Sequence, residues 1–173
     1  MEKVRTLERE KKEEQYNQYL SFKLGGEYYG LLVNNVREVI EYSQLVHLTR
    51  IPMIPDFIRG VINLRGDVIP VIDLFSRFYT QKSEISRRSC IVIIEIENDD
   101  EKILLGALID GVDEVIDISP NQIEKAMDFG SKIRSDFING IGKVNDKFII
   151  LINISMVLDL DELSNFEGFK INL

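Results

Sequence analysis

One cysteine and one histidine occur in 173 residues, and each scarcity closes off a class of chemistry. A single thiol, Cys90, cannot form an intrachain disulfide. It sits in the apolar run Cys90-Ile91-Val92-Ile93-Ile94, which reads as a buried, inert residue in a reducing, cytoplasmic setting. His47 alone cannot complete a zinc tetrad or a histidine-based triad, and reads as a strand-end residue facing solvent. No glycine loop has the strand-to-helix placement that cradles phosphate; Gly25-Gly26 follows a strand but opens no helix. No apolar run reaches the ~18 residues of a membrane span, and the N-terminus is charged, unlike a signal peptide. Positive charge is also short: 21 basic against 29 acidic residues leave a net charge of -8. That balance excludes the electrostatic footprint of a nucleic-acid or anionic-membrane binder. Arg87-Arg88 reads as a solvated loop. What remains is a solution protein whose partners are other proteins, with no cofactor and no metal expected.

The length suits one compact domain, or two small ones sharing a core that buries roughly two-thirds of the unfolded surface. Residues 1–15 are dense in Glu, Lys and Arg and read as a mobile charged tail. Residues 16–160 form the folded region, and 161–173 the end of a C-terminal helix and its tail. Within the folded region, residues 19–24 are rich in aromatic and apolar side chains and stop at Gly25-Gly26, a hairpin signal answered by a return strand over 28–33. Further strands are expected at 45–48, 60–63, 68–74, 90–96, 102–109 and 148–152. Val36, Val39 and Ile40 fall at helical spacing and predict one short helical turn. Other helices are expected at 55–59, 74–79 and 154–166. Short, closely spaced strands indicate a mainly β protein of small barrels or a sandwich.

The chain repeats itself. Gly30-Leu31-Leu32-Val33-Asn34-Asn35-Val36-Arg37-Glu38-Val39-Ile40 returns 76 residues later as Gly106-Ala107-Leu108-Ile109-Asp110-Gly111-Val112-Asp113-Glu114-Val115-Ile116, with six of the eleven positions identical. Phe57-Ile58-Arg59-Gly60 returns 80 residues later as Phe137-Ile138-Asn139-Gly140. Two half-size units follow, each too small for an ample core, so they are expected to pack face to face or to exchange strands. The repeat breaks at one turn. The first copy reads Asn63-Leu64-Arg65-Gly66, where the second reads Lys143-Val144-Asn145-Asp146. Asn145-Asp146 suffices for a hairpin. Arg65-Gly66 adds a guanidinium fork beside a residue that permits positive φ. Two readings stay open: Arg65 pairs with Glu38 or Asp67 and holds the turn, or it recognises a partner. Pro70 marks a sheet edge or a barrel corner, since it cannot donate to a ladder.

The run from Phe57 to Leu74, with Asn63-Leu64-Arg65-Gly66 at its centre, closely resembles the signature of the CheW family of chemotaxis coupling proteins. So do Tyr29-Gly30-Leu31-Leu32-Val33, Val36-Arg37-Glu38-Val39-Ile40, and Leu105-Gly106-Ala107-Leu108-Ile109-Asp110-Gly111-Val112. The resemblance spans nearly the whole chain. It implies two five-stranded barrels of the Src-homology-3 (SH3-like) type packed together, with short helices and a C-terminal helix. It implies a non-enzymatic adaptor, recruited to membrane-associated receptor arrays, that binds the regulatory domain of the histidine kinase CheA and the cytoplasmic tip of chemoreceptors. Its important arginine matches Arg65, in the run that also holds Asn63 and Gly66, and its important glutamate matches Glu38, in the helical turn expected at 36–40. Its receptor-facing groove would match Val36, Val112 and the strand beginning at Ile91, and a kinase-facing surface is placed around Met53, Ile54 and Pro55.

Two other classes are weighed beside it. Asp110-Gly111 in a two-fold repeat resembles an aspartic protease, but the matching position in the first copy is Asn34, so the like-charge dyad is missing. A stand-alone barrel protein could instead bind a small ligand between its halves.

Overall fold

The computed structural model describes residues 17–44, 48–98, 100–125 and 135–157. The charged tail, His47 and most of the expected C-terminal helix lie outside them. Strands β1 (Asn17–Leu24) and β2 (Glu27–Leu32) form the first hairpin, and Gly25 and Gly26 take up its turn with φ of 60° and 83°. A 3-10 turn at Val33–Asn35 leads into β3 (Val36–Glu41). Then come β4 (Ile58–Leu64), β5 (Asp67–Asp73), helix α1 (Leu74–Tyr79), β6 (Cys90–Asn98) and β7 (Glu101–Ile109). The chain continues through β8 (Gly111–Ile118), the two-residue β9 (Ile123–Glu124), β10 (Ile138–Val144), β11 (Lys147–Ile152) and the short helix α2 (Ile154–Val157).

The protein is mainly β, as expected, but its halves are interleaved. One sheet runs β8-β1-β2-β11-β10-β9 and the other β3-β6-β7-β5-β4. The first repeat therefore lends its opening hairpin to the second unit, and the second repeat lends β6–β7 to the first. Parallel contacts, β2 with β11 and β5 with β7, stitch each borrowed hairpin in place. One sheet has six strands where five were expected. The sixth is β9, and its counterpart in the other unit is the single bridge Thr49↔Val61.

Each sheet curls around its own small core. Ile40 of β3 and Ile62 of β4 come from opposite edges of the five-stranded sheet yet pack in one cluster with Ile69, Val71, Ile91, Ile93 and Leu108. The second unit does likewise, with Ile118 of β8 and Ile123 of β9 meeting around Ile149 and Leu151. The largest cluster lies between the sheets and includes Phe22, Tyr29, Leu31, Leu74, Phe78, Val92, Ile94, Leu105 and Phe137. Burying each such side chain stabilises the fold by about 1.5–3 kcal/mol, so the two units form one cooperative body. An aromatic row crosses this interface, with ring centroids 5.9 Å apart for Phe22–Tyr29, 5.6 Å for Tyr29–Phe78 and 5.9 Å for Phe78–Phe137.

Residues 36–40 are a strand, not a helical turn. The ladder of β3 on β6 is bulged between Val36 and Glu38, so Val36 and Val39 oppose Ile94 and Val92, two residues of the same face. A bulge inserts one residue and shifts the phase of alternation, which converts a strand's spacing of two into an apparent spacing of three. The same geometry recurs at Val112 and Val115, which oppose Phe22 and Leu20 across a bulge in β8–β1. No helix forms at 55–59 either: the Ile58 amide donates to Pro55 O at 3.0 Å and β4 begins at Ile58. Most of the strand expected at 45–48 lies outside the described residues; just after it, Thr49 forms a single bridge with Val61.

Helix α1 falls where its pattern placed it, because Asp73 caps it, accepting the Ser76 amide at 3.1 Å, and Thr80 ends it in the left-handed region. Asp73 is fully buried. Its other oxygen accepts from Arg59 Nε at 3.0 Å, Ser83 N at 3.1 Å and Ser83 Oγ at 2.9 Å. Arg59 also donates to Ser83 O at 2.7 Å. Removing one partner of a buried pair leaves a charge without its counter-charge, so Arg59→Ala is expected to cost about 2–4 kcal/mol in urea unfolding. A loss below about 1 kcal/mol would show that the serine contacts suffice.

Candidate functional site

The turn joining β4 to β5 carries the residues singled out by the broken repeat. Arg65 and Gly66 hold φ of 50° and 91°, a two-residue hairpin turn of the kind that needs both central residues left-handed. The equivalent turn in the second unit, Asn145-Asp146, has φ of 50° and 63°. Both units thus make the same turn, and the first pays a conformational cost of about 1 kcal/mol to place an arginine there. Asn63 holds the turn from one side, its Oδ1 accepting the Gly66 amide at 3.0 Å.

The Arg65 guanidinium pairs with the Glu38 carboxylate. Of the two carboxylates considered from sequence, Glu38 is therefore the one engaged. Glu38 shares its strand face with Ile40, so the pair sits beside the core of the first unit, with Leu64 and Leu104 packed nearby. The Arg65 side chain remains 72% exposed and Glu38 34%. An ion pair this open contributes ~0–1 kcal/mol to stability, too little to account for an arginine in a left-handed turn.

The other expected site residues are distributed unevenly. Val36 is half-buried against the inter-sheet core, while its repeat equivalent Val112 is 39% exposed on β8. Met53 is 93% exposed, and Ile54 beside it packs partly into the core. Ile91, at the start of the strand expected to line the groove, is fully buried inside the first unit, because β6 runs between β3 and β7, so its side chain shapes the core. Exposed apolar residues missed from sequence are Val39 and Val115 on the edge strands β3 and β8, and Val68 and Phe148 at the starts of β5 and β11. Each pair occupies equivalent positions of the repeat. That equivalence was the available signal, hidden by reading 36–40 as helix.

An open cleft of about 310 Å³ lies between the first hairpin and the loop before β6, lined by Lys23, Gly26, Ser86, Arg88, Asp110 and Val112, among others. Asp110 is committed to structure there, its Oδ2 accepting the Gly25 amide at 2.8 Å. Asp110→Asn keeps an acceptor and is expected to shift the thermal midpoint by no more than about 2 °C, whereas Asp110→Ala should cost about 1 kcal/mol. Burial pushes the Cys90 thiol up from its ordinary value, which keeps it protonated and unreactive at neutral pH. Among the described residues, no group of His, Cys, Asp or Glu is placed to hold a metal ion, and no helix is long and apolar enough to cross a membrane.

Comparison with known proteins gives one consistent answer. The family model described as the CheW-like domain matches residues 18–162. A chemotaxis protein CheW of Klebsiella aerogenes is 31% identical over 147 residues, covering 85% of this chain and 84% of that protein. A chemotaxis protein CheW of Bacillus subtilis is 32% identical over 138 residues, covering 80% and 84%. The crystal structure of the scaffolding protein TtCheW from Thermoanaerobacter tengcongensis superposes with a TM-score of 0.71 at 41% identity, covering 82% of this chain and 91% of that one.

Proposed function

This chain belongs to the CheW-like family, and from that premise we propose that it couples chemoreceptors to the histidine kinase CheA. Its broad role is that of a non-enzymatic chemotaxis scaffold. The finer reading places it in the cytoplasm, recruited to receptor arrays, where it holds the kinase's regulatory domain and the receptor's cytoplasmic tip by protein contacts alone. Such a bridge performs no chemistry. It transmits a coupling free energy, typically ~1–3 kcal/mol, which a few well-placed contacts supply.

The observation that carries this reading is the exposed Arg65, held on a left-handed turn in one unit only and oriented by Glu38. A planar guanidinium with free donors suits charge-assisted hydrogen bonds to carboxylates or carbonyls of a docking protein. Exposed Val39 on edge strand β3, and Val112 and Val115 on edge strand β8, are further apolar surface open to a partner. Calorimetric titration with the purified regulatory domain of the kinase tests the reading. Saturable binding near one-to-one is expected; no heat and no complex at the highest workable concentration would refute it. A small molecule seated in the cleft would leave that titration blank.

A further inference from the structure

We propose that Arg77, on α1, mechanically couples the two units, so that a displacement of Phe57 in the first is felt at Phe137 in the second. Phe57 and Phe137 are the repeat-equivalent residues that open the two Phe-Ile-x-Gly blocks. The Arg77 guanidinium lies over both rings, 4.5 Å from the centroid of Phe57 and 5.0 Å from that of Phe137. Its Nε also donates to Val157 O at 3.2 Å, at the end of α2. One side chain therefore touches the corresponding point of each half and the helix that closes the second.

Each phenylalanine is in turn fixed to its own unit in the same way. The carbonyl of Phe57 accepts the Asp73 amide at 2.6 Å, and that of Phe137 accepts the Asn153 amide at 2.8 Å. Asp73 and Asn153 precede the helices that follow β5 and β11, so a backbone shift at either phenylalanine bears on a strand-to-helix junction. Phe137 is buried and Arg77 half-buried, so the cation and the rings meet in a partly desolvated setting where such contacts are strongest. The large core also joins the units, by apolar packing, which is non-directional, and by the Tyr29–Tyr79 hydroxyl hydrogen bond at 2.5 Å. The Arg77 contact is directional, and it begins three residues from Ile54, on the segment whose exposed Met53 is assigned to the kinase. The functional side of this inference rests on that assignment.

Backbone hydrogen exchange tests the coupling without any partner. Phe57→Leu is expected to speed exchange of the Asn153 amide several-fold, and Phe137→Leu that of the Asp73 amide. The central β6 and β7 amides should stay unchanged, which excludes global loosening. In an Arg77→Met background, which keeps the apolar stem and removes the cation, both cross-effects should vanish. Cross-effects that persist with Met, or that are absent with Arg, overturn the proposal. Adding the kinase regulatory domain then separates the two readings. Binding with no change at Asn153 removes the relay and leaves the scaffold role intact. Failure to bind removes the assignment of Met53, while the exchange result alone continues to decide the relay.

Discussion

Gly60→Ala is expected to remove about 3–5 kcal/mol of stability, the largest loss from alanine at any of the described glycines. A Cβ on Gly60 would stand 2.1 Å from Thr49 O and 2.9 Å from the Thr49 carbonyl carbon, and the residue holds φ of 145°. The obstacle is backbone, so no rotamer change relieves it. Separation would also break the bonds that hold this segment, Thr49 N to Val61 O at 2.9 Å and Val61 N to Thr49 O at 2.8 Å. Gly66→Ala is the control: its φ is 91°, yet nothing lies within 4 Å of the added methyl, so only the backbone strain of about 1–3 kcal/mol applies. Urea unfolding of the two variants measures the contrast. A Gly60→Ala protein within about 0.5 kcal/mol of the parent would mean that the Thr49 segment moves freely, contrary to the bridge described above.

Arg65→Glu is expected to weaken assembly with kinase and receptor about 30-fold or more while changing stability by no more than ~1 kcal/mol. The fold tolerates the change because the pair is exposed and the turn remains a two-residue hairpin. Binding suffers because the donor fork is replaced by a second carboxylate beside Glu38. The double variant Arg65→Glu with Glu38→Arg separates the two functions of the arginine. It restores an ion pair with the charges exchanged, and at 72% exposure for Arg65 the binding loss is expected to persist. Recovery of binding would show instead that Arg65 only braces Glu38. A protein that melts on the single substitution would assign the turn a structural role alone.

Much of this architecture was legible before any coordinates. Gly25-Gly26 marks the first hairpin, the pattern over 74–79 marks α1, and the two repeated blocks imply two units that pack face to face or exchange strands. Size alone left face-to-face packing and exchange both open, since neither half has ample apolar surface by itself, and the strand order shows exchange. What escaped the sequence escaped for two physical reasons. A bulge at Val36–Glu38 and another before Val115 shift the alternation, so two edge strands imitate helical spacing. That misreading hid Val39 and Val115 as surface residues. The burial of Ile91 was also illegible, because an apolar run such as Cys90 to Ile94 reads the same at a groove and in a sheet's middle. The turn at Arg65 was found because the repeat broke there, and the geometry then selected Glu38 over Asp67 as its partner.

The central claim is that this chain transmits control between receptor and kinase by contact alone, and reconstitution tests it most directly. Autophosphorylation of CheA should be measured with receptor cytoplasmic fragments, with and without the purified protein, alongside its Arg65→Glu variant. The account predicts that kinase activity becomes receptor-dependent only when the parent chain is present, and that Arg65→Glu loses most of this dependence while remaining folded. Identical kinase activity with and without the folded parent chain would contradict it.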